Sequence, residues 1–171
     1  MTGASRPTLI RASLALAALF LGVAVYLLER QPERVYFLAQ WVISGDETTP
    51  FFGVFGNHLP TSLHVFAFIL LTAVIVAPSR RVAAAICVVW LVIDSLFEIG
   101  QIPVIAQGVA SRVPDWFHGV PFFENTSEYF LSGTFDVLDL GSIAAGAVAA
   151  FLTLVLTASK EIKNASDIQF Q

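Results

Sequence analysis

Four apolar runs, at about 9–28, 62–77, 82–102 and 137–159, constrain this chain more than any other feature. A hydrocarbon core about 30 Å thick is crossed by about 20 mainly apolar residues in a helix that rises about 1.5 Å per residue. In lipid, backbone amides must be satisfied within the segment, so runs of this length become helices. Composition agrees: 56% of the 171 residues are hydrophobic and 13% are charged, against roughly 25% charged in soluble domains. The expected fold is all-α, a polytopic membrane protein with four transmembrane helices in one small bundle. Residues 1–171 form a single membrane domain, with two aromatic-rich outer segments at 29–61 and 103–136.

The first run follows Arg6 and Arg11, a pattern that also opens secretory signals. A signal core is about 7–15 residues long and ends at small residues. This run is longer and ends in YLLERQ, so it reads as an uncleaved helix. Cys87 is the only cysteine, which excludes an internal disulfide. No repeat, low-complexity tract or basic nucleic-acid patch is present.

Basic residues collect on the cytoplasmic side of short membrane loops. With alternating loops, Arg6, Arg11, Arg80, Arg81, Lys160 and Lys163 fall on one side, and Arg30, Arg34 and Arg112 on the other. Both termini are therefore expected in the cytoplasm, in the bacterial inner membrane, with an acidic outer face. The outer segments carry Tyr36, Phe37, Trp41, Phe51, Phe52, Phe55, Trp116, Phe117, Phe122, Phe123, Tyr129 and Phe130. Aromatics favour the membrane boundary, so short interfacial helices or a lid are expected there. Pro103, Pro114 and Pro121 exclude a long helix in the second segment.

Within the third run, Ala84, Cys87, Leu91, Asp94, Glu98 and Gln101 recur at steps of three and four and so share one face. Asp94 and Glu98 approach a helix C-terminus, where the dipole disfavours carboxylates, and lipid adds a further penalty. The short turn PSRR at 78–81 makes the second and third helices antiparallel neighbours. His64 lies sixteen residues before Arg80 and Glu98 seventeen after Arg81, so both are expected about 25 Å from the turn. An imidazolium at a helix start and a carboxylate at a helix end offset one another, and His64 is expected to pair with Glu98. Asp136 and Asp139 open the last helix, where acids are favoured. Asp139, Ser142, Gly146 and Ala150 share a stripe whose small residues allow close helix approach. This stripe is also a candidate face for a partner helix. His58, His118 and Arg112 show no informative spacing, and His58 and His118 read as surface residues.

These elements resemble the VanZ-like family of small bacterial membrane proteins over about 64–150. They are His64 opening a helix, Glu98-x-x-Gln101 closing the next, GTFDVLDL at 133–140 opening the last, and Gly146 seven residues after Asp139. The resemblance implies an integral membrane protein in an envelope context, in a family whose founding member is associated with resistance to a glycopeptide antibiotic.

Two functional readings follow. In the first, His64, Asp94, Glu98, Gln101, Asp136 and Asp139 form a polar outer pocket. It recognises an envelope ligand such as a lipid headgroup, a cell-wall precursor or a glycopeptide-like compound. In the second, the protein is a membrane-embedded enzyme acting on a lipid-linked substrate. His64 is then the general acid or base and Glu98 its orienting group, with a divalent cation held by Glu98 and Asp139 as an option. Membrane lipids are the partners common to both. No nucleophile motif, phosphate loop or zinc pattern is present.

Overall fold

The computed structural model describes residues 5–29, 53–121 and 123–169. Six α-helices follow one another: α1 (Arg6–Glu29), α2 (Val54–Val76), α3 (Arg80–Ile99), α4 (Pro103–Ala110), α5 (Thr126–Ser132) and α6 (Val137–Gln169). A single 3-10 turn, Asp115–Phe117, lies between α4 and α5. Each apolar run has become a helix, and among the described residues four segments are long and apolar enough to cross a membrane: Arg6–Val25, Gly56–Val76, Arg80–Ile99 and Val137–Ala158. Arg30, Arg34, Tyr36, Phe37, Trp41, Phe51, Phe52 and Phe122 lie outside the described residues.

Helix α2 is central, packing against α1, α3 and α6, and α3 packs on α6 as well. The shared core is built from Ala15 and Ala18 of α1, Val65, Ala67, Ile69, Leu70 and Ala73 of α2, Ala83, Ile86 and Cys87 of α3, and Ile143, Ala147, Ala150 and Leu154 of α6. Alanines are frequent there because lipid tails supply no hydrophobic drive between helices, so small residues that permit close contact do the joining. Gly146 is a point of close contact between α6 and α2. A Cβ there would overlap the backbone carbonyl of Ser62. The small-residue stripe expected on the last helix is thus spent within the chain, against α2. Large side chains such as Phe20, Ile75, Val88 and Leu156 point outward.

Two boundaries differ from the sequence expectation. α2 begins at Val54, eight residues before 62, and runs straight through Pro60. A proline in a helix removes its own N–H and crowds the carbonyl four residues earlier. That residue is Gly56, the smallest available. Because membrane helices re-satisfy the freed carbonyl locally, Pro60 does not end the helix. α6 continues ten residues past 159. The α2–α3 turn behaves as expected. Ala77 closes α2 in a left-handed conformation (φ 47°), with its N–H on the Ala73 carbonyl at 3.0 Å. Pro78 follows, and Ser79 caps α3 by accepting from the Val82 N–H at 3.5 Å.

The segment after α3 is broken as its prolines require. Pro103 starts α4 at the position where its missing N–H is harmless, and α4 packs against α5. Phe97 stacks on Phe130 at 5.8 Å, and Trp116, Phe117 and Phe123 form a second aromatic group. Phe130 is buried directly against Gly100, where a Cβ would overlap its ring.

Candidate functional site

The polar side chains singled out in the sequence collect at one end of α2, α3 and α6, in two tiers. The outer tier starts from the N-terminus of α6. Asp136 caps that helix by accepting from the Leu138 N–H at 2.8 Å. The N–H of Asp136 in turn donates to Glu98 Oε1 at 2.7 Å. Glu98 is only 7% exposed. Its carboxylate, disfavoured at the C-terminus of its own helix, is therefore placed at the positive end of another. Gln101 Nε2 donates to Glu98 Oε2 at 3.4 Å and to the Tyr129 hydroxyl at 3.2 Å, which ties α5 to the same point. Gly133 lets the chain pass Gln101, since a Cβ there would overlap the side-chain amide. Burial, followed by the nearby Glu98 charge, pushes the Tyr129 phenol above its ordinary range, so it stays a neutral partner for Gln101.

His58 completes this tier. Its Nδ1 lies 2.9 Å from Asp139 Oδ1 and its Nε2 3.9 Å from Asp136 Oδ2, with the side chain 15% exposed. A carboxylate on each side suits an imidazolium. With Nδ1–H donated to Asp139, the neutral ring keeps Nε2 free to accept a proton.

The inner tier is smaller and less complete. His64 Nδ1 is 3.6 Å from Asp94 Oδ1, beyond ordinary hydrogen-bond length, and the His64 side chain is 49% exposed. Asp94 Oδ2 is sealed from the surface with no hydrogen-bond partner among the described residues. Beneath the pair, the α2–α3 seam is closed. His64 sits edge-on to Phe68 at 4.3 Å and Phe68 lies 5.0 Å from Trp90. Trp90 Nε1 donates to Thr72 Oγ1 at 2.9 Å, and that hydroxyl donates to the Phe68 carbonyl at 2.8 Å. Among the described residues no lysine or arginine is paired with Asp94, Glu98, Asp136 or Asp139. Four carboxylates face two imidazoles.

All six residues expected to form the site lie at this end, but the pairing differs. The His64–Glu98 pair does not form; His64 meets Asp94, and His58, read from sequence as a surface residue, joins the Glu98 tier. The reason is the turn. Counting back from Arg80 treated residues 77–79 as helical rise, whereas α2 stops at Val76. From the true helix ends, His58 lies eighteen residues before Val76 and Glu98 eighteen after Arg80, both about 27 Å along. His64 and Asp94 lie twelve and fourteen residues along. Tyr129 was also missed as a site member, its hydrogen bond to Gln101 being invisible to periodicity. His118 is exposed, and Arg112, just past the end of α4, turns back to the Gly108 carbonyl of that helix at 2.7 Å. Among the described residues no three His, Cys, Asp or Glu side chains are grouped to hold a metal ion. Of the two carboxylates suggested for a cation, Glu98 accepts from the Asp136 N–H and Asp139 contacts His58 Nδ1.

No protein-family model, no curated protein and no solved structure matches the chain.

Proposed function

We propose that this is a VanZ-like recognition protein of the bacterial inner membrane, with both termini cytoplasmic and the polar end on the extracytoplasmic side. The outer tier is the frame and the inner tier the receptor. The ligand is an amine-bearing envelope molecule, most simply an aminated lipid headgroup or a lipid-linked cell-wall precursor. One observation carries this reading: a buried carboxylate oxygen of Asp94 with no hydrogen-bond partner among the described residues, beside a half-exposed imidazole, in a cluster with a surplus of acids. A buried acceptor without a partner loses about 1–3 kcal/mol, and more when charged. An ammonium donor reaching it from the lipid side recovers that loss and balances the charge. Ionisable groups inside a membrane bundle mark functional sites in general.

The test uses short-chain phosphatidylethanolamine and phosphatidylcholine, which share a phosphate and differ in amine hydrogens. Phosphatidylethanolamine is expected to raise the melting temperature of the purified protein more than phosphatidylcholine does. The excess should vanish in Asp94→Asn. Equal responses to the two lipids in the wild-type protein refute the assignment.

A second reading rests on the 2.9 Å contact between His58 Nδ1 and Asp139 Oδ1. A carboxylate that fixes one ring nitrogen leaves the other as a positioned base, so His58 with Asp139 takes over the role expected of His64 with Glu98 in an enzyme acting on a lipid-linked substrate. Turnover of such a substrate, lost in His58→Gln and retained in Asp94→Asn, would favour it over recognition.

A further inference from the structure

The opposite end of the molecule holds a feature that the acidic cluster does not involve. Arg11 lies five residues into α1, inside the first apolar span, and is only 6% exposed. It begins the buried face of α1, which continues through Ala15, Ala18 and Val25. Its Nε donates to Thr157 Oγ1 on α6 at 2.8 Å. That hydroxyl donates onward to the Thr153 and Leu154 carbonyls at 2.8 and 3.1 Å. The contact is therefore neutral. It fixes the plane of the guanidinium and supplies no counter-charge of its own. No carboxylate among the described side chains pairs with Arg11, and the two Nη groups, four of the five N–H donors, are not used by Thr157.

A covered cation in a membrane bundle is stabilised by a counter-charge, and the described side chains supply none to Arg11. We propose that Arg11 and Thr157 form the seat of a phosphate-bearing anion, taken up between α1 and α6 at the basic end of the molecule. Three points give the chemistry. A guanidinium whose Nε is pinned presents its Nη pair as a fixed fork, and that fork matches two oxygens of a phosphate. Side chains on a helix lean toward its N-terminus, which for α1 is the end carrying Arg6, with Arg80 at the start of α3 and Lys160 and Lys163 in the last turns of α6. Thr8, one turn nearer that end on the Arg11 face, shares a 2.8 Å hydrogen bond with Ser5, so the approach is polar. Phospholipid headgroups and free phosphate both carry this chemistry, and the headgroup lies at the level of the helix end.

The experiment uses the full chain in neutral detergent with three probes: short-chain phosphatidylglycerol, diacylglycerol of equal chain length, and inorganic phosphate. Melting temperature and retained mass by native mass spectrometry are read together. Phosphatidylglycerol is expected to stabilise the wild-type protein and remain bound, while diacylglycerol does neither. Arg11→Gln should weaken binding by about tenfold or more. Arg11→Lys, which keeps the charge and loses the fork, and Thr157→Val, which keeps the guanidinium and loses its anchor, should weaken it severalfold; both carry the test if Arg11→Gln does not fold. Inorganic phosphate that competes phosphatidylglycerol away and stabilises equally keeps the seat and assigns it to the aqueous anion. Three results overturn the proposal: equal binding by wild-type and Arg11→Lys or Thr157→Val, equal stabilisation by diacylglycerol, or loss of the effect in Glu161→Gln. The last would make a carboxylate one turn beyond Thr157 the counter-charge.

Discussion

His58 and His64 stand six residues apart on one helix, and each faces an aspartate of a neighbouring helix, yet their surroundings are opposite. His58 is covered, held at 2.9 Å by Asp139, and part of a network in which Glu98, Asp136, Gln101 and Tyr129 each have a partner. His64 is half-exposed, its aspartate is 3.6 Å away, and that aspartate has a sealed oxygen with no hydrogen-bond partner among the described residues. Buried polar groups that are fully satisfied rigidify a structure, whereas partly satisfied ones are sites of unspent interaction. The difference separates a part of the cluster whose polar groups are paired across the helices from a part whose polar groups are only partly paired.

The comparison can be broken at once by pushing α2 away from α6, on which the His58–Asp139 contact depends. Gly146→Leu places a branched side chain where even a Cβ meets the Ser62 backbone carbonyl. We expect a loss of about 3 kcal/mol or more, seen as loss of the folded, monodisperse protein in detergent. Glu98→Ala addresses the outer tier alone. It removes the acceptor of the Asp136 N–H and leaves Gln101 with one partner fewer. Loss of a buried, charged hydrogen bond corresponds to about 2–3 kcal/mol, measurable as a lowered melting temperature. Gly133→Ala is a milder probe of the same tier. It displaces the Gln101 amide from Tyr129 and should lower stability by about 1–2 kcal/mol, with Gln101→Ala in the same background largely restoring it.

How much of this arrangement could be read from the sequence depends on which residues are considered. The four helices were legible because lipid permits few alternatives to a 20-residue apolar helix, and the acidic end was legible from the three- and four-residue steps of Asp94, Glu98 and Gln101. The small-residue contact at Gly146 followed from spacing as well, with Ser62 as the partner that spacing could not name. His58 was hidden by Pro60, which locally reads as a helix start but costs only one hydrogen bond, to Gly56, when the helix continues. Once α2 begins at Val54, the equal counts from Val76 to His58 and from Arg80 to Glu98 place those two side chains at one level. Tyr129 and the role of the Asp136 N–H arise from the path of the chain between α4 and α6, and no periodicity records that path.

The α2–α3 turn offers a control that touches neither tier. Ala77 occupies a left-handed conformation that strains any residue with a Cβ, by about 1–2 kcal/mol. Ala77→Gly is expected to raise stability by about 1 kcal/mol, less the flexibility glycine adds to the unfolded chain. It should leave every lipid response unchanged.

The most direct measurement is the melting temperature of Asp94→Asn without ligand and in titrations with phosphatidylethanolamine and phosphatidylcholine. Replacing the carboxylate by a neutral amide eases the burial of Oδ2, which has no hydrogen-bond partner among the described residues, and breaks no contact of the outer tier. The ligand-free protein should therefore melt at or above the wild-type temperature, with no preference for phosphatidylethanolamine. An Asp94→Asn protein that melts as low as Glu98→Ala, yet still prefers the aminated lipid, would place Asp94 in the frame and the receptor elsewhere.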